Sequence, residues 1–575
     1  MNFLRRNSDR RFIEGWEIIM KRTTSLTILS ALIMGSFMGT ALAAPGNIPD
    51  TLANKVDFAS QQLKDDATLR SYYEASKYKD ELPQSTDIKY DKELVAPQES
   101  VLNFEVKELR VTKSELLTAD ELRSAIQFVG AKTMSVKELQ KIVDRINSAY
   151  LAKGIQTAQA VLPPQVVRDG VVYIRLIEGR YGEIKVQGNK RILESYVKDR
   201  VSATTNELSD LNQLQKDLLL YNNTNNFRLR AELVPGKELG SSDLVLTIDE
   251  AVNPWKSYFF VDNANQDESG LYRAGFVSAA YGLSGADDRL LVNPVFTEGT
   301  ISGLISYDAP ISNEGTRANI SFSRNRVKII DGRFEDFDIM AHSNDLSIGV
   351  SHPLNVTPLT KIDVFVEAHR KWSNTEYSGW NIADTDTNAL KIGLNLRKYD
   401  KNGLWFAQVS ATSFNTDFNI RNEQADGDYY GAYCMRRQNL SAGQYLLVRA
   451  FGQFTNDKEL PSSEQFSIGG IATVRGYEES ELSGDKGWVA SVEYGFPISK
   501  DNQSLRGFAF YDHGAVYDNY SATTTRKYIS STGVGLEFFQ KGWYGRLALG
   551  VPLEDSGNDI HSSKTRTHFY LQKDI

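Results

Sequence analysis

Alternation of polar and apolar residues over the C-terminal half constrains the fold of this chain more than any other feature. From Trp255 onward, segments of about ten residues alternate between two faces and are separated by Gly, Asn, Asp and Ser. Leu390–Arg397, Trp488–Phe496 and Gly533–Phe538 each carry apolar side chains on one face and charged, polar or glycine positions on the other. A wet lumen and a lipid exterior produce this pattern in a membrane β-barrel, and a soluble β-sandwich produces it too.

An N-terminal export segment and the aromatic content favour the barrel. Basic residues after Met20, an apolar run over 26–38 and small residues up to Ala43 predict a secretory signal peptide over residues 1–43, with translation starting at Met1 or Met20. A single membrane anchor is the alternative, but the apolar run is shorter than the ~20 residues a spanning helix needs. The 27 Tyr, 27 Phe and 7 Trp suit the interfacial girdles of a barrel.

Residues 44–78 and 79–100 are predicted to be an amphipathic helix and a flexible linker. Apolar residues recur every three or four positions in the helix, which places them on one stripe. A barrel lumen could hold this helix as a plug; a surface helix packed on a neighbouring domain is the alternative. The linker carries Pro83, Pro97 and many charges. The stripe consists of Ile48, Leu52, Val56, Ala59 and Leu63.

Two successive α+β units, residues 101–180 and 181–252, precede the alternating segments. Each unit is predicted to run strand, helix, helix, strand, strand. In the first unit Thr118 begins a capping box, the apolar face of the helix it starts runs to Val129, and Gly154 ends the second helix. Small domains of this kind bind partners by adding an extended chain to a sheet edge or in a helix–strand groove, and a spacer domain is the alternative.

Composition and scattered motifs argue against an enzyme or a nucleic-acid binder. The formal net charge of −8 disfavours general nucleic-acid binding, and the single cysteine, Cys434, excludes an intramolecular disulfide. Residues 282–286 narrowly miss G-x-S-x-G, and no H-E-x-x-H, P-loop or dinucleotide fingerprint occurs. Residues 384–388 lack the Gly and Glu of a calcium loop and are predicted to form an exposed loop. We therefore expect no catalytic residue, metal or cofactor.

A candidate site joins two stretches near the C-terminus. An Arg flanked by Gly and Tyr follows a Gly pair, and Phe510-Tyr511-Asp512 supplies a carboxylate on a later strand. A carboxylate can hold a guanidinium bidentately and so fix a long loop in one orientation. We expect a partly hydrated pair that orients the loop more than it stabilises the fold; an external Arg and an unrelated Asp are the alternative. The candidate residues are Gly469, Gly470, Val474, Arg475, Gly476, Tyr477, Phe510 and Asp512.

These stretches resemble the VRGY and F-x-D signatures of two-partner (type V) secretion transporters, the TpsB family of haemolysin-activator and filamentous-haemagglutinin-transporter type. The two α+β units resemble the periplasmic POTRA domains of that superfamily. The resemblance implies a membrane β-barrel of about sixteen antiparallel strands over residues 253–575 in the Gram-negative outer membrane, preceded by the plug helix and two POTRA domains. It also implies that Arg475 lies on a loop folded back into the lumen and pairs there with Asp512 on the barrel wall.

The same resemblance implies a non-enzymatic role in protein transport. The POTRA pair would capture a large unfolded TpsA-type exoprotein, such as an adhesin, haemolysin, haem-binding protein or contact-dependent toxin. The plug helix would leave the lumen and the exoprotein would pass through extended. Other expected partners are outer-membrane lipid and, during biogenesis, periplasmic chaperones and the barrel-assembly machinery, with no nucleic acid. An outer-membrane assembly factor of the same superfamily, a pore-forming toxin or surface enzyme, and a simple porin are the alternatives.

Overall fold

The computed structural model of the chain describes residues 59, 60, 62, 88–90, 103–458, 460–499, 504–519, 525–556 and 565–575. The predicted signal peptide lies outside the described residues. Most residues of the predicted helix and of the predicted linker also lie outside the described residues. Of the predicted helical stripe, Ile48, Leu52, Val56 and Leu63 are outside the described residues, whereas Ala59 is described and helical. No described helix is long and apolar enough to cross a membrane.

The first α+β unit packs two helices on short strands, with strand order β3-β6-β5 in one sheet and β2 paired with β4. Thr118 and Ser135 each form a capping box, and the hydrogen bond from the Thr118 backbone helps to lower the pKa of Glu121 to about 2. The predicted apolar position Val129 is wrong: the first helix ends at Ile126, so Val129 lies beyond it and is 93% exposed. The elements to this point are β1 (Ile88–Tyr90), β2 (Asn103–Val106), β3 (Glu108–Val111), α1 (Ala119–Ile126), β4 (Lys132–Ser135), α2 (Val136–Ala152), β5 (Ala158–Val161) and β6 (Val171–Glu178).

The second α+β unit is a four-stranded sheet in the order β1-β8-β9-β7. Strand β1 forms one edge of this sheet and pairs in parallel with β8, with Ile88 opposite Ala231. At residues 88–90 the structure therefore differs from the predicted flexible linker. The unit consists of β7 (Arg180–Gln187), α3 (Glu194–Lys198), α4 (Leu211–Thr224), β8 (Leu229–Pro235) and β9 (Ser241–Ile248).

Sixteen antiparallel strands close into a barrel, which confirms the architecture that the family resemblance implies, and β10 pairs with β27 to complete it. Two further short strands, β21 (Phe466–Ile468) and β22 (Leu482–Gly484), form a separate hairpin. The barrel strands are β10 (Trp255–Asp262), β11 (Arg273–Tyr281), β12 (Arg289–Phe296), β13 (Thr300–Pro310), β14 (Arg317–Lys328), β15 (Ile339–Val356), β16 (Thr360–Tyr377), β17 (Trp380–Asp400), β18 (Gly403–Phe418), β19 (Glu423–Asn439), β20 (Tyr445–Phe454), β23 (Lys486–Pro497), β24 (Leu505–Asp518), β25 (Thr525–Gln540), β26 (Trp543–Pro552) and β27 (Arg566–Asp574).

The two faces of the strands differ as a membrane barrel requires. On β17, Leu390, Ile392 and Leu394 are 51%, 52% and 42% exposed, whereas Glu493 and Glu537 on later strands are buried inside. A run of exposed apolar residues on the outside and of polar residues on the inside matches a lipid exterior and a polar lumen.

The predicted exposed loop at residues 384–388 is wrong, because these residues belong to β17. Their side chains alternate between the two faces of β17, a long strand that extends beyond the apolar part of the barrel's outer surface.

The second α+β unit is joined firmly to one end of the barrel. Arg317, at the start of β14, donates to the carbonyl of Thr224 at 3.0 Å. In the β11–β12 turn, Asp287 accepts a hydrogen bond from Asn226 Nδ2 at 2.9 Å, and burial raises the pKa of the Asp287 carboxyl. Tyr281 packs against the core of the α+β unit. These contacts identify the end of the barrel at which the α+β units lie.

Candidate functional site in the barrel lumen

A long connection between β20 and β23, residues 455–485, folds inward rather than outward. We call it the lumen loop; it contains the β21–β22 hairpin. Its apolar side chains, including Ile468, Val474 and Tyr477, are buried against Val489 and Val516 of the barrel wall. The loop therefore has a hydrophobic base from which its tip, Gly469–Tyr477, is presented to the polar wall.

Arg475 and Asp512 meet at this tip in a bidentate ion pair. Nε of Arg475 lies 2.7 Å from Oδ2 of Asp512, and Nη2 lies 2.8 Å from Oδ1. The backbone N–H of Arg475 donates to the same carboxylate at 3.1 Å. Both side chains are 0% exposed. The expected partial hydration of the pair is therefore wrong: the inward-folded loop covers the pair and excludes the surrounding solvent.

Three further charged residues extend the pair into a cluster that the motif did not reveal. Glu493 accepts from Nη1 of Arg475 and from Nη2 of Arg546, each at 2.5 Å. Ser491 donates its hydroxyl to Oδ1 of Asp512 at 2.6 Å. Arg546 also lies 3.6 Å from Glu537. Two guanidinium groups thus share three carboxylates, so no charge in the cluster is buried without an opposite partner.

Each of the two guanidinium groups stacks on the face of an aromatic ring. The Arg475 Cζ lies 3.6 Å from the ring centroid of Phe510, and the Arg546 Cζ lies 4.1 Å from that of Phe508. The predicted common face of Asp512 and Phe510 is observed. On the next strand Gly533 lies so close to the Phe510 ring that a Cβ there would collide with it. A glycine opposite each ring therefore makes room for this stacking, and cation–π attraction adds to the ion pair.

Glycines let the loop tip approach the wall closely. Gly469, Gly470 and Gly476 have φ of 116°, 92° and 94°, which side-chain-bearing residues rarely adopt. The N–H of Gly476 donates to His568 Nε2 at 2.9 Å. A Cβ on Gly476 would lie 3.0 Å from the backbone carbon of Gly550 on β26. Any larger residue at Gly476 would push the tip away from the wall.

Tyr477 and the loop root hold the lumen loop at two more points. The Tyr477 hydroxyl lies 2.9 Å from the carbonyl of Ser530 and 2.7 Å from that of Glu554, and it can donate to one of them. At the root, buried Glu464 lies 2.5 Å from Nζ of Lys371 on β16. Tyr429 on β19 donates to the other Glu464 oxygen at 2.8 Å. The tip is thus attached to β23–β27, and the root is attached to the opposite part of the wall.

The described residues of the predicted plug helix contact a third part of the wall through neutral groups. The hydroxyls of Ser60 and Ser343 are 2.8 Å apart. Gln62 Nε2 donates to Asn265 at 2.5 Å, and Asn325 donates to the Ala59 carbonyl at 3.2 Å. Ala59 and Ser60 are buried. The helical residues therefore lie inside the barrel, against β14, β15 and the connection after β10.

The described residues offer no clear metal site, because no three His, Cys, Asp or Glu side chains among them are grouped to hold an ion. The cluster around Arg475 is instead a set of buried charges, each of which lies beside an opposite charge. Its arrangement can hold a loop in place.

Comparison with known proteins agrees with the fold. The chain matches the family of haemolysin secretion/activation proteins ShlB/FhaC/HecB over residues 240–538, and the ShlB-type POTRA domain over residues 104–179. It is 25% identical to the heme/hemopexin transporter protein HuxB of Haemophilus influenzae strain 86-028NP, with 92% of this chain and 95% of HuxB covered.

Two solved structures share the fold. CdiB from Escherichia coli superposes with a TM-score of 0.64 at 16% identity, covering 90% of this chain and 98% of CdiB. BamA from Haemophilus ducreyi lacking POTRA domains 1–3 superposes with a TM-score of 0.50 at 13% identity, covering 82% of this chain and all of that structure, 100%. The family match spans more than half of the chain. The chain therefore belongs to the ShlB/FhaC/HecB family and is an outer-membrane transporter of two-partner secretion, the TpsB class.

Proposed function

We propose that the two POTRA units capture a large unfolded exoprotein in the periplasm, that the helix containing residues 59–62 leaves the lumen, and that the exoprotein passes through the barrel while Arg475 keeps the lumen loop in place. One observation carries this proposal: the charge cluster at Arg475 fixes the loop to one side of the lumen, and the helical residues contact the other side through neutral groups. The bonds of the lumen loop favour a loop that stays in place, and the bonds of the described helical residues favour a helix that can leave.

The sheet edges support capture by strand addition. β5 ends the order β3-β6-β5 in the first POTRA unit, and an extended chain can pair with such an edge through its backbone. Backbone pairing tolerates many sequences, which suits an unfolded cargo. The second unit supports delivery, because its contacts with the β11–β12 turn and with Arg317 bring it directly to the barrel mouth.

The test is an export assay in a Gram-negative host. The chain is expressed with the large secreted-type protein encoded beside it, and that protein is followed in the medium and on the cell surface. Two deletions are compared: residues 101–178, which removes the first POTRA unit, and residues 101–252, which removes both. The first deletion is the more informative test. The second unit packs its core against Tyr281 of the barrel, so its removal also takes away a contact of the barrel. Heat-modifiable migration of the barrel on gels checks that each variant folds.

We expect export to depend on the chain and to be lost when the first POTRA unit is deleted from a folded barrel. An outer-membrane assembly factor is the second candidate, favoured by the barrel fold shared with BamA. It predicts the opposite result: the exoprotein reaches the surface without this chain, and other outer-membrane barrels decline when the chain is removed. The two outcomes cannot both hold, so one assay distinguishes them.

A further inference from the structure

Three arginines lie on the outer face of β14 and β16, the two barrel strands on either side of β15. On β14, Asn325 points into the lumen, where it donates to Ala59, so Arg324 and Arg326 on either side of it point outward by the two-residue period of a strand. On β16, Lys371 reaches Glu464 of the lumen loop, so Arg370 points outward. The side chains of all three arginines are exposed. They therefore face the membrane or its boundary.

The neighbouring side chains locate this boundary. Outward positions nearer the POTRA units on the same strands are apolar and exposed, and Arg317, which contacts Thr224 of the second POTRA unit, marks the periplasmic end of β14. Trp372 and Phe322 lie with ring centroids 6.2 Å apart beside the arginines. Such aromatic pairs mark the membrane interface of barrels. Arg324 and Arg326 thus stand at the outer-leaflet interface, above the exposed apolar residues of the same surface, and Arg370 lies at the upper edge of that apolar region, level with Leu346 and Phe322. The apolar residues are Ile320, Phe322, Leu346, Ile348, Val350 and Val366.

The strand register brings the arginines close together. Arg324 is opposite Asn344 on β15, which is opposite Trp372 on β16, two residues from Arg370. With strands about 4.8 Å apart and a rise of about 3.4 Å per residue, the Cα atoms of Arg324 and Arg370 are about 12 Å apart. Arg324 and Arg326 follow one another on one face at about 7 Å. Long side chains can converge on one ligand across these distances.

These guanidinium groups have no anionic partner in the described part of the chain. No ion pair within 4.0 Å joins a described carboxylate to Arg324, Arg326 or Arg370, whereas Lys328 on the same face pairs with Asp338 at 3.2 Å. Arg326 donates to the sulfur of Met340 at 3.4 Å. An arginine near the interface destabilises a barrel only slightly, and an arginine toward the midplane destabilises it more. Three unpaired arginines at this level therefore fit an anion supplied by the membrane.

We propose that Arg324, Arg326 and Arg370 bind the phosphate groups of lipopolysaccharide, the phosphorylated glycolipid of the outer leaflet. The guanidinium fork matches phosphate oxygens bidentately, and the exposed apolar residues below it would receive the acyl chains. On the inner side, β14 and β15 carry Asn325 and Ser343, which contact the helical residues. The bound glycolipid holds the part of the wall against which the helix lies.

The test uses the purified full chain in detergent, with binding measured by native mass spectrometry. The probe is bisphosphorylated lipid A, and the variant carries Arg324→Gln, Arg326→Gln and Arg370→Gln. A matched control removes three other exposed cations, by Lys328→Gln, Lys398→Gln and Arg421→Gln; Lys328 and Arg421 already have carboxylate partners and Lys398 lies toward the periplasmic end. We expect at least about tenfold weaker lipid A binding in the variant and unchanged binding in the control, since charge-assisted bonds to phosphate are lost.

Two comparisons establish the source of the phosphate. Monophosphorylated lipid A should bind more weakly than the bisphosphorylated form, because fewer guanidinium bonds are made. Equal displacement of lipid A by phosphatidylglycerol or by inorganic phosphate overturns the proposal, as does equal binding by the triple variant and the unaltered chain. If the triple variant does not fold, Arg370→Gln alone, which changes a single strand, should still weaken binding about threefold; no change in that variant also overturns it.

Discussion

The two elements inside the barrel are held by different chemistry. The tip of the lumen loop is held by Arg475, whose guanidinium is shared between Asp512 and Glu493 in a buried cluster. The described helical residues are held by neutral bonds such as Ser60 with Ser343. Both elements occupy the same lumen, so the difference lies in the bonds and not in the location.

The magnitudes indicate which element can move. Removing one partner of a buried ion pair costs about 3–5 kcal/mol because the other charge is left without compensation. A neutral hydrogen bond contributes about 0.5–1.5 kcal/mol, and water replaces it when a lumen opens. Releasing the loop tip would break several charge-assisted bonds at once, whereas releasing residues 59–62 exchanges neutral bonds for water. The bonds made by residues 59, 60 and 62 are thus weaker than those of the loop tip, which supports the proposal that the loop stays in place and the helix leaves.

The largest effect on export is expected when the helix is fixed to the barrel wall as firmly as the loop is. The Ser60 and Ser343 hydroxyls are 2.8 Å apart, so Ser60→Cys with Ser343→Cys should form a disulfide between the helix and the adjacent barrel wall. Cys434 is replaced by Ser to avoid side reactions. We expect export to be lost almost completely when the disulfide forms under oxidising conditions. Export should return when a reductant is added. Single-cysteine variants are the control; full export with the disulfide formed would show that the helix need not leave.

The second test weakens the fixed element. Arg475→Ala and Asp512→Ala each leave a buried charge without its partner, and we expect export to fall at least about tenfold while the barrel still assembles. Arg475→Lys keeps the charge and loses the fork, so it should give an intermediate defect. Arg421→Ala, at an exposed pair with Glu423, is the matched control. Secretion at the unaltered level from both Arg475→Ala and Asp512→Ala would falsify the role of the pair.

The sequence predicts the barrel and the motif pair better than it predicts their surroundings. Alternation identifies the strands, because the lumen and the lipid impose opposite preferences on the two faces. Glu493 and Arg546 escape prediction, since a polar residue on a lumen face has the same pattern whether it pairs or meets water. The burial of Arg475 depends on how the whole loop fills the lumen, and no local pattern encodes that.

Short elements are missed for a different reason. β1 has only three residues, Ile88–Tyr90, and its pairing partner β8 is more than a hundred residues away in sequence. Its charged and proline-containing flanks indicate a linker, so only the tertiary edge of β8 gives it a strand conformation. Val129 shows the same limit at a helix end: its spacing continues the apolar face of α1, but the helix ends at Ile126 with Gln127 in the left-handed region.

A third test concerns the loop root, where the charge pair is less buried than at the tip. Glu464 is buried and lies 2.5 Å from Lys371, whose side chain is 21% exposed. Lys371→Met removes the cation beside Glu464, which still accepts from the hydroxyls of Tyr429 and Ser463, and solvent reaches part of the site. We expect export to fall by about threefold, less than for Arg475→Ala, because partial exposure screens the lost charge. Lys371→Met with Glu464→Gln should recover part of that loss; a defect as large as that of Arg475→Ala would place the main attachment at the root.

The smallest effect is expected where one neutral bond to the helix is removed. Ser343→Ala deletes the hydroxyl that contacts Ser60 and leaves the wall otherwise unchanged, so it should loosen the helix by about 0.5–1.5 kcal/mol. Export should stay within about twofold, but the resting barrel should conduct ions more often in planar bilayers, because a more weakly held helix opens the lumen more frequently. Ser321→Ala removes a wall hydroxyl that pairs with Ser347, and it is the matched control. Conductance that rises equally in both variants would mean that the wall, and not the bond to the helix, sets the opening of the lumen.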